Sequence, residues 1–137
     1  CPSGSVLIGS KEKIDKALRI RKVLGGGMRQ VGYLAACGLY ALENNIERLS
    51  LDHKKAKEIE ATLNEMSYIE KVEPVETNII IFQIQKDIDT NLFLRNLNDQ
   101  GIKIISMGGL KLRIVTHLDY NDKLHERFLS ILKKLTF

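Results

Sequence analysis

Tryptophan is absent from this 137-residue chain, and four phenylalanines and four tyrosines are its whole aromatic complement. That leaves no series of stacking platforms for unpaired bases. Cysteine is equally scarce: Cys1 and Cys37 are too few for a disulfide framework and stand in no CxxC or Cys/His ligand spacing, so a reducing cytoplasm is the expected compartment. No apolar run approaches the roughly 20 residues that a membrane helix needs, and no charged leader precedes an apolar core, so no membrane partner is expected. Charge of one sign is not in large excess either. The 21 Lys and Arg against 17 Asp and Glu leave a formal +4 that is spread along the chain, which reads as a solvated surface and not as a nucleic-acid face. There is no Ser-His-Asp arrangement, no paired-acid motif, no metal-ligand cluster, no repeat and no low-complexity tract.

What is present is enough apolar sequence, 44 % of the residues, to build a compact core. The chain opens on Cys1-Pro2-Ser3-Gly4-Ser5 without a methionine and passes at once into Val6-Leu7-Ile8, which suggests a piece of something longer. Those three residues, bounded by Gly4 and Gly9, read as a short buried strand. Ser10 is a good N-cap for a helix over 11–23, with Glu12 in its first turn, cations in its last, and Gly25 to Gly27 ending it. From Met28 to Met66 apolar residues recur at spacings of three and four, predicting a long helix that bends or breaks near Asn44-Asn45 or Ser50. Gly32, Ala35, Ala36 and Gly38 keep the first half of that helix slim enough for close approach.

Beyond Ser67 the pattern changes to short β runs between helices. Strands are expected around Val72, over 77–84, over 102–105 and over 110–115, the last two joined by a Met107-Gly108-Gly109 turn. A helix capped by Asp89 or Thr90 should stop at Gly101, and a final amphipathic helix should start near Asn121 or Asp122. The sum is an α/β chain whose second part is an α+β layer, a small sheet with helices on one face.

Two arginines carry the candidate chemistry. Gly25, Gly26 and Gly27 before a helix start allow backbone amides to approach a phosphate, although the segment matches neither common phosphate-loop pattern and also fits a plain helix-to-helix turn. Arg29 follows in the expected first turn of the next helix, where a guanidinium binds a phosphate or carboxylate bidentately or makes an ordinary surface or interface pair. Arg113 alternates with Leu112 and Ile114 in "LKLRIVTHL" and so projects from a strand whose other face is buried, either to hold an anion or as an edge-strand charge. His117 near the strand end reads as structural, and His53 and His125 as helix-surface residues. Residue pattern alone ends at an α+β domain with two notable arginines.

A family resemblance carries the reading further. "GSVLIGS", "RIRKVLGGGMRQVGYLAACGLYALENNIERL", "VETNIIIF" and "LRIVTHLD" resemble, in this order and at these separations, the C-terminal part of the low-specificity L-threonine aldolases, fold-type-I enzymes that use pyridoxal 5′-phosphate (PLP). The GGGMRQ block is the specific part of the match. The resemblance implies cleavage of threonine or allo-threonine to glycine and acetaldehyde, with PLP as electron sink, in a cytoplasmic homodimer or homotetramer. It implies that Arg113 binds the substrate carboxylate, and that Arg29, Lys22 and the Gly25, Gly26 and Gly27 backbone lie in the cofactor neighbourhood, either of their own subunit or across a subunit boundary. It assigns 1–49 to the end of a large PLP-binding domain with its interdomain helix, and 50–137 to the small C-terminal domain. The aldimine lysine of the family falls upstream of Cys1, so no catalytic residue is expected in this chain, which is expected to be inactive by itself and to expose apolar surface at Val6 to Ile8 and along 28–42. The alternatives are another fold-type-I PLP lyase acting on a β-substituted amino acid, and a non-enzymatic anion-binding or dimerisation module.

Overall fold

A computed structural model describes residues 4–137, and the chain divides into two compact units, Cys1–Glu47 and Arg48–Phe137. The first unit is helical. α1 (Lys11–Val23) starts at Ser10, whose side chain accepts from the Lys13 amide, and carries the i,i+4 pairs Lys11–Asp15 at 2.8 Å and Glu12–Lys16 at 2.7 Å. α2 (Gly32–Asn44) is apolar in composition, yet neither helix buries a single described residue, and Tyr33, Leu39, Tyr40 and Leu42 are exposed.

Two details of this unit depart from expectation, a strand and a helix start. Val6-Leu7-Ile8 forms no strand and is exposed, Ile8 at 88 %, because a strand exists only where a ladder partner does and no described residue supplies one. The helix expected over 28–66, with a bend or break near Asn44-Asn45 or Ser50, is two helices, and only its start departs from expectation. α2 begins four residues late, at Gly32, because Gln30 takes a positive φ of 51° and breaks the helical path after Met28. It ends where Asn44 turns its side-chain amide onto the Tyr40 carbonyl at 2.9 Å, a local bond that competes with helix continuation. Residues 45–48 separate it from α3 (Leu49–Asn64), so the break opens at the first of the two expected points, Asn44-Asn45.

The second unit is a four-stranded antiparallel sheet in the order β1-β2-β4-β3, from β1 (Ile69–Val72), β2 (Ile79–Ile84), β3 (Ile105–Gly108) and β4 (Lys111–Val115). β3 lies three residues later than the sequence suggests, because its pairing with β4 opens at Ile105–Arg113 and closes beside the turn at Gly109 and Leu110. Side chains alternate across the sheet, and Ile80, Phe82, Ile84 and Leu112 all point to one face and are buried there. Three helices supply the other half of that core: α3 with Ala56, Ile59 and Leu63, α4 (Thr90–Asp99) with Phe93 and Leu97, and α5 (Asp122–Lys134) with Phe128, Ile131 and Leu132. Phe93 sits centrally, its ring 5.9 Å from Tyr68, 6.3 Å from Phe82 and 5.2 Å from Phe137.

The helix ends follow the sequence signals. Asp89 accepts from the amides of Asn91 and Leu92, and Asn121 from that of Leu124. Gly101 ends α4 at φ 75°, its amide bonding the Asn98 carbonyl while that of Ile102 bonds Leu97, the Schellman pattern that a glycine makes without strain.

His125 departs from expectation. It is buried, 5 % exposed, and its Nε2 lies 2.7 Å from a Glu58 carboxylate oxygen while its Nδ1 lies 3.1 Å from the Tyr120 hydroxyl. Its helix face looked polar because its partners come from 67 residues away in α3 and from the loop before α5. Lys55 strengthens the same seam, donating to the Tyr120 carbonyl at 2.7 Å and pairing with Asp122 at 2.8 Å. That ammonium holds the Asp122 carboxyl below its ordinary value of 3.8, while burial raises the Tyr120 phenol.

Two outcomes follow. Phe93→Ala removes the hub of the aromatic cluster and should destabilise the second unit by about 3–5 kcal/mol in a urea titration. Because the folded pKa of Asp122 is depressed, its contribution is present above 3.8 and is lost as the pH falls through the lower folded value. The stability gap between wild type and Asp122→Asn should therefore be open near neutral pH and should close below pH 3.8 in urea titrations across that range.

Candidate functional site

The register of the sheet decides where Arg113 goes. Phe82 pairs with Leu112 and Ile80 with Ile114, and these fill the helix-covered face. Arg113 pairs with Ile81 on one side and Ile105 on the other, and so projects from the opposite face, among Ile79, Ile105 and Val115, which are all partly exposed. Its Nε is buried and has no hydrogen-bond partner, and the guanidinium makes no ion pair among the described residues. A buried donor on a charged group left without an acceptor costs more than the 1–3 kcal/mol of a neutral one, and a planar fork of N–H groups is best satisfied by a carboxylate or phosphate. The arrangement is therefore a cation held by β4 on an apolar sheet face, with donor capacity unused.

The glycine loop of the first unit has a more definite local job than its sequence suggests. Leu24 caps α1, Gly25 takes φ 79°, its amide donates to the Lys22 carbonyl at 3.1 Å, and the Gly26 amide donates to Arg21 at 2.8 Å. This is again the Schellman helix stop, and it commits two of the three glycine amides to α1. The Gly27 amide makes no such bond. A Cβ at Gly27 would lie 3.0 Å from Lys22 Cδ and 3.2 Å from its Nζ, so the ammonium folds over the backbone of this glycine, and a Cβ at Gly26 would meet Arg21 Cγ at 2.9 Å. Arg29 lies in the turn before α2 and not in its first turn, because Gln30 delays the helix. Gly27 N–H, Lys22 and Arg29 are thus the loop's donors toward an anion, and all three residues are exposed.

His117 is exposed, accepts at Nδ1 from the Asp119 amide at 3.3 Å, and borders a cleft of about 210 Å³ with Lys103 and Arg127. His53 is exposed as expected. Among the described residues no group of three or more His, Cys, Asp or Glu is placed to hold a metal, and no helix is long and apolar enough to cross a membrane. What residue pattern missed is Thr116. It continues the buried face 112, 114, 116, and a hydroxyl at such a position requires an acceptor, which was the available signal.

The beta-eliminating lyase family matches residues 1–87. The chain is 41 % identical to the probable low-specificity L-threonine aldolase 2 of Arabidopsis thaliana, over 98 % of this chain and 39 % of that protein. It is 43 % identical to low-specificity L-threonine aldolase 1 of the same plant, over 85 % and 33 %, and 37 % identical to the low specificity L-threonine aldolase of Escherichia coli, over 86 % and 34 %. The chain thus spans between a third and two fifths of the length of these relatives. Among solved structures, a lysine-to-alanine mutant of C-DES with glycine covalently linked to the PLP cofactor superposes with a TM-score of 0.58 at 15 % identity, over 77 % of this chain and 28 % of that one. The ornithine aminotransferase of Toxoplasma gondii ME49 does so with a TM-score of 0.54 at 19 % identity, over 64 % and 22 %. The fold is that of part of a fold-type-I enzyme.

Proposed function

The chain belongs to the beta-eliminating lyase family, and we propose that it is the substrate-carboxylate and cofactor-loop portion of a PLP-dependent aldolase that cleaves L-threonine and L-allo-threonine to glycine and acetaldehyde. The observation that carries the proposal is Arg113: a guanidinium with a buried, unpartnered Nε, raised from the middle of an apolar sheet face. An amino-acid substrate brings the carboxylate that such a fork satisfies in two parallel hydrogen bonds. Holding that carboxylate fixes the rotation of the substrate about Cα, which is what selects the bond to be broken. Bound PLP supplies the electron sink for Cα–Cβ cleavage.

The glycine loop fits a phosphate group. The Lys22 ammonium over Gly27, the free Gly27 amide and Arg29 offer one neutral and two cationic donors, and Gly25 and Gly26 shape the backbone that presents them. We assign these five residues to the cofactor phosphate, at a boundary between subunits of a homo-oligomer. The apolar α2 surface, bare in this chain, supports that oligomeric reading. Residues 1–49 accordingly form the end of the large domain and 50–137 the small domain. The open sheet face around Arg113 is where the remaining part of the enzyme closes the site and excludes water from the carboxylate pair, which strengthens it. The family's description favours one second reading, elimination at a β-substituted amino acid, which uses the same carboxylate grip.

In the full-length enzyme, Arg113→Ala should lower kcat/KM for threonine about 100-fold or more, with PLP content unchanged by its absorbance, since removing one member of a hydrogen-bonded charge pair costs about 2–5 kcal/mol. Unchanged kinetics would refute the assignment. Glycine release from threonine, allo-threonine and phenylserine, set beside release of a β-substituent, separates the two lyase readings. Residues 1–137 by themselves should form no glycine from threonine when PLP is added; turnover would contradict the assignment.

A further inference from the structure

We infer that Thr116, anchored on the first turns of α3, is a positioning residue for Arg113 and so for the substrate carboxylate; this rests on the reading of Arg113 given above. The Arg113 Nε has no hydrogen-bond partner to steady it, so where the side chain emerges depends on the course of β4. That backbone is tied down three residues later. Thr116 is fully buried, and its hydroxyl donates to the Asp52 carbonyl at 2.8 Å. Its amide donates to the Asn78 carbonyl at 3.0 Å, and the Asn78 side chain returns a bond to the Thr116 carbonyl at 2.7 Å. The Thr116–Asn78 pair thereby extends the β2–β4 ladder, which otherwise closes at Ile79–Val115.

The helix that receives the hydroxyl is itself fixed. Asp52 is buried, and Arg48, the first residue of the second unit, grips both its carboxylate oxygens at 2.9 Å. From Arg48 to Arg113 there is thus a continuous chain of short contacts: an ion pair, a helix carbonyl, a buried hydroxyl and three residues of paired strand. Its effect is on register and height. A one-residue slip of β4 would turn Arg113 into the core, and an error of about 1 Å in a positioning group can cost about 100-fold in rate. A hydroxyl on the buried face, bonded across to another element, resists both displacements.

The test uses the full-length holoenzyme. Thr116→Val keeps the shape and removes the hydroxyl; Thr116→Ser keeps the hydroxyl. Thr116→Val should raise the threonine KM and the glycine dissociation constant about fivefold, as expected for loss of one buried hydrogen bond acting through Arg113. It should leave PLP content and the affinity for ethanolamine, an amine without a carboxylate, unchanged, and Thr116→Ser should restore glycine affinity. A structural role alone would lower the melting temperature without separating glycine from ethanolamine, and that result would overturn the inference. Should Thr116→Val not fold, Asn78→Ala removes the bond on the other side of Thr116 and carries the same expectation. Arg113→Lys is the reference. If it weakens glycine binding while the Thr116 and Asn78 variants do not, positioning fails and the Arg113 reading stands; if it leaves glycine binding unchanged, both fail.

Discussion

The pairing of Phe82 with Leu112 across the β2–β4 ladder is the contact on which the candidate site depends. Both are buried under the helices, so the residue after Leu112 has to emerge on the other face. A guanidinium turned into the core would need an anionic partner there to offset its desolvation. Burial of one face and presentation of a cation on the other are therefore a single decision of register. Three long-range bonds tie the helices to one another and to the segments flanking β1: Tyr68 hydroxyl to Leu132 carbonyl at 2.7 Å, Glu60 carboxylate to Val75 amide at 2.9 Å, and the His125–Glu58 pair.

The two units differ in how much of their stability is their own. The second has a continuous apolar core, satisfied helix caps and long-range side-chain bonds. The first has neither a buried residue among those described nor a core cluster, and its helices rest on local capping and i,i+4 pairs worth a few tenths of a kcal/mol each. Its apolar residues are the wrong kind for an isolated helical pair. Small residues at 32, 35, 36 and 38 and exposed large ones at 33, 39 and 40 leave α2 without a core of its own. The glycine loop between its helices serves two purposes at once: Gly25 and Gly26 stop α1, and what remains exposed is one amide among cations.

Much of this was legible in the residues. Caps at Ser10, Asp89 and Asn121 and stops at Gly25 and Gly101 were readable because capping is chemistry within a few residues of the chain. The alternation around Arg113 was readable for the same reason. Illegible were the features whose partners lie far along the chain. His125 looked like a surface residue because Glu58 is 67 positions away, and Thr116 went unremarked because Asp52 is 64 away. Val6 to Ile8 has the composition of a strand but no ladder among the described residues to join, and composition does not report whether a partner exists.

By itself, then, the sequence determined the local vocabulary: where helices can begin and stop, which strand face is apolar, and that an arginine stands between two core residues of one strand. Those follow from periodicity, capping and backbone freedom, which act over a few residues. Only the tertiary structure decided that the Arg113 Nε would be buried without an acceptor, that two of three loop amides would be used up on α1, and that the strand bearing Arg113 would be pinned to the first turns of α3. Each of those depends on which groups meet, and whether a donor is satisfied or left open for a ligand is set by all of its neighbours together.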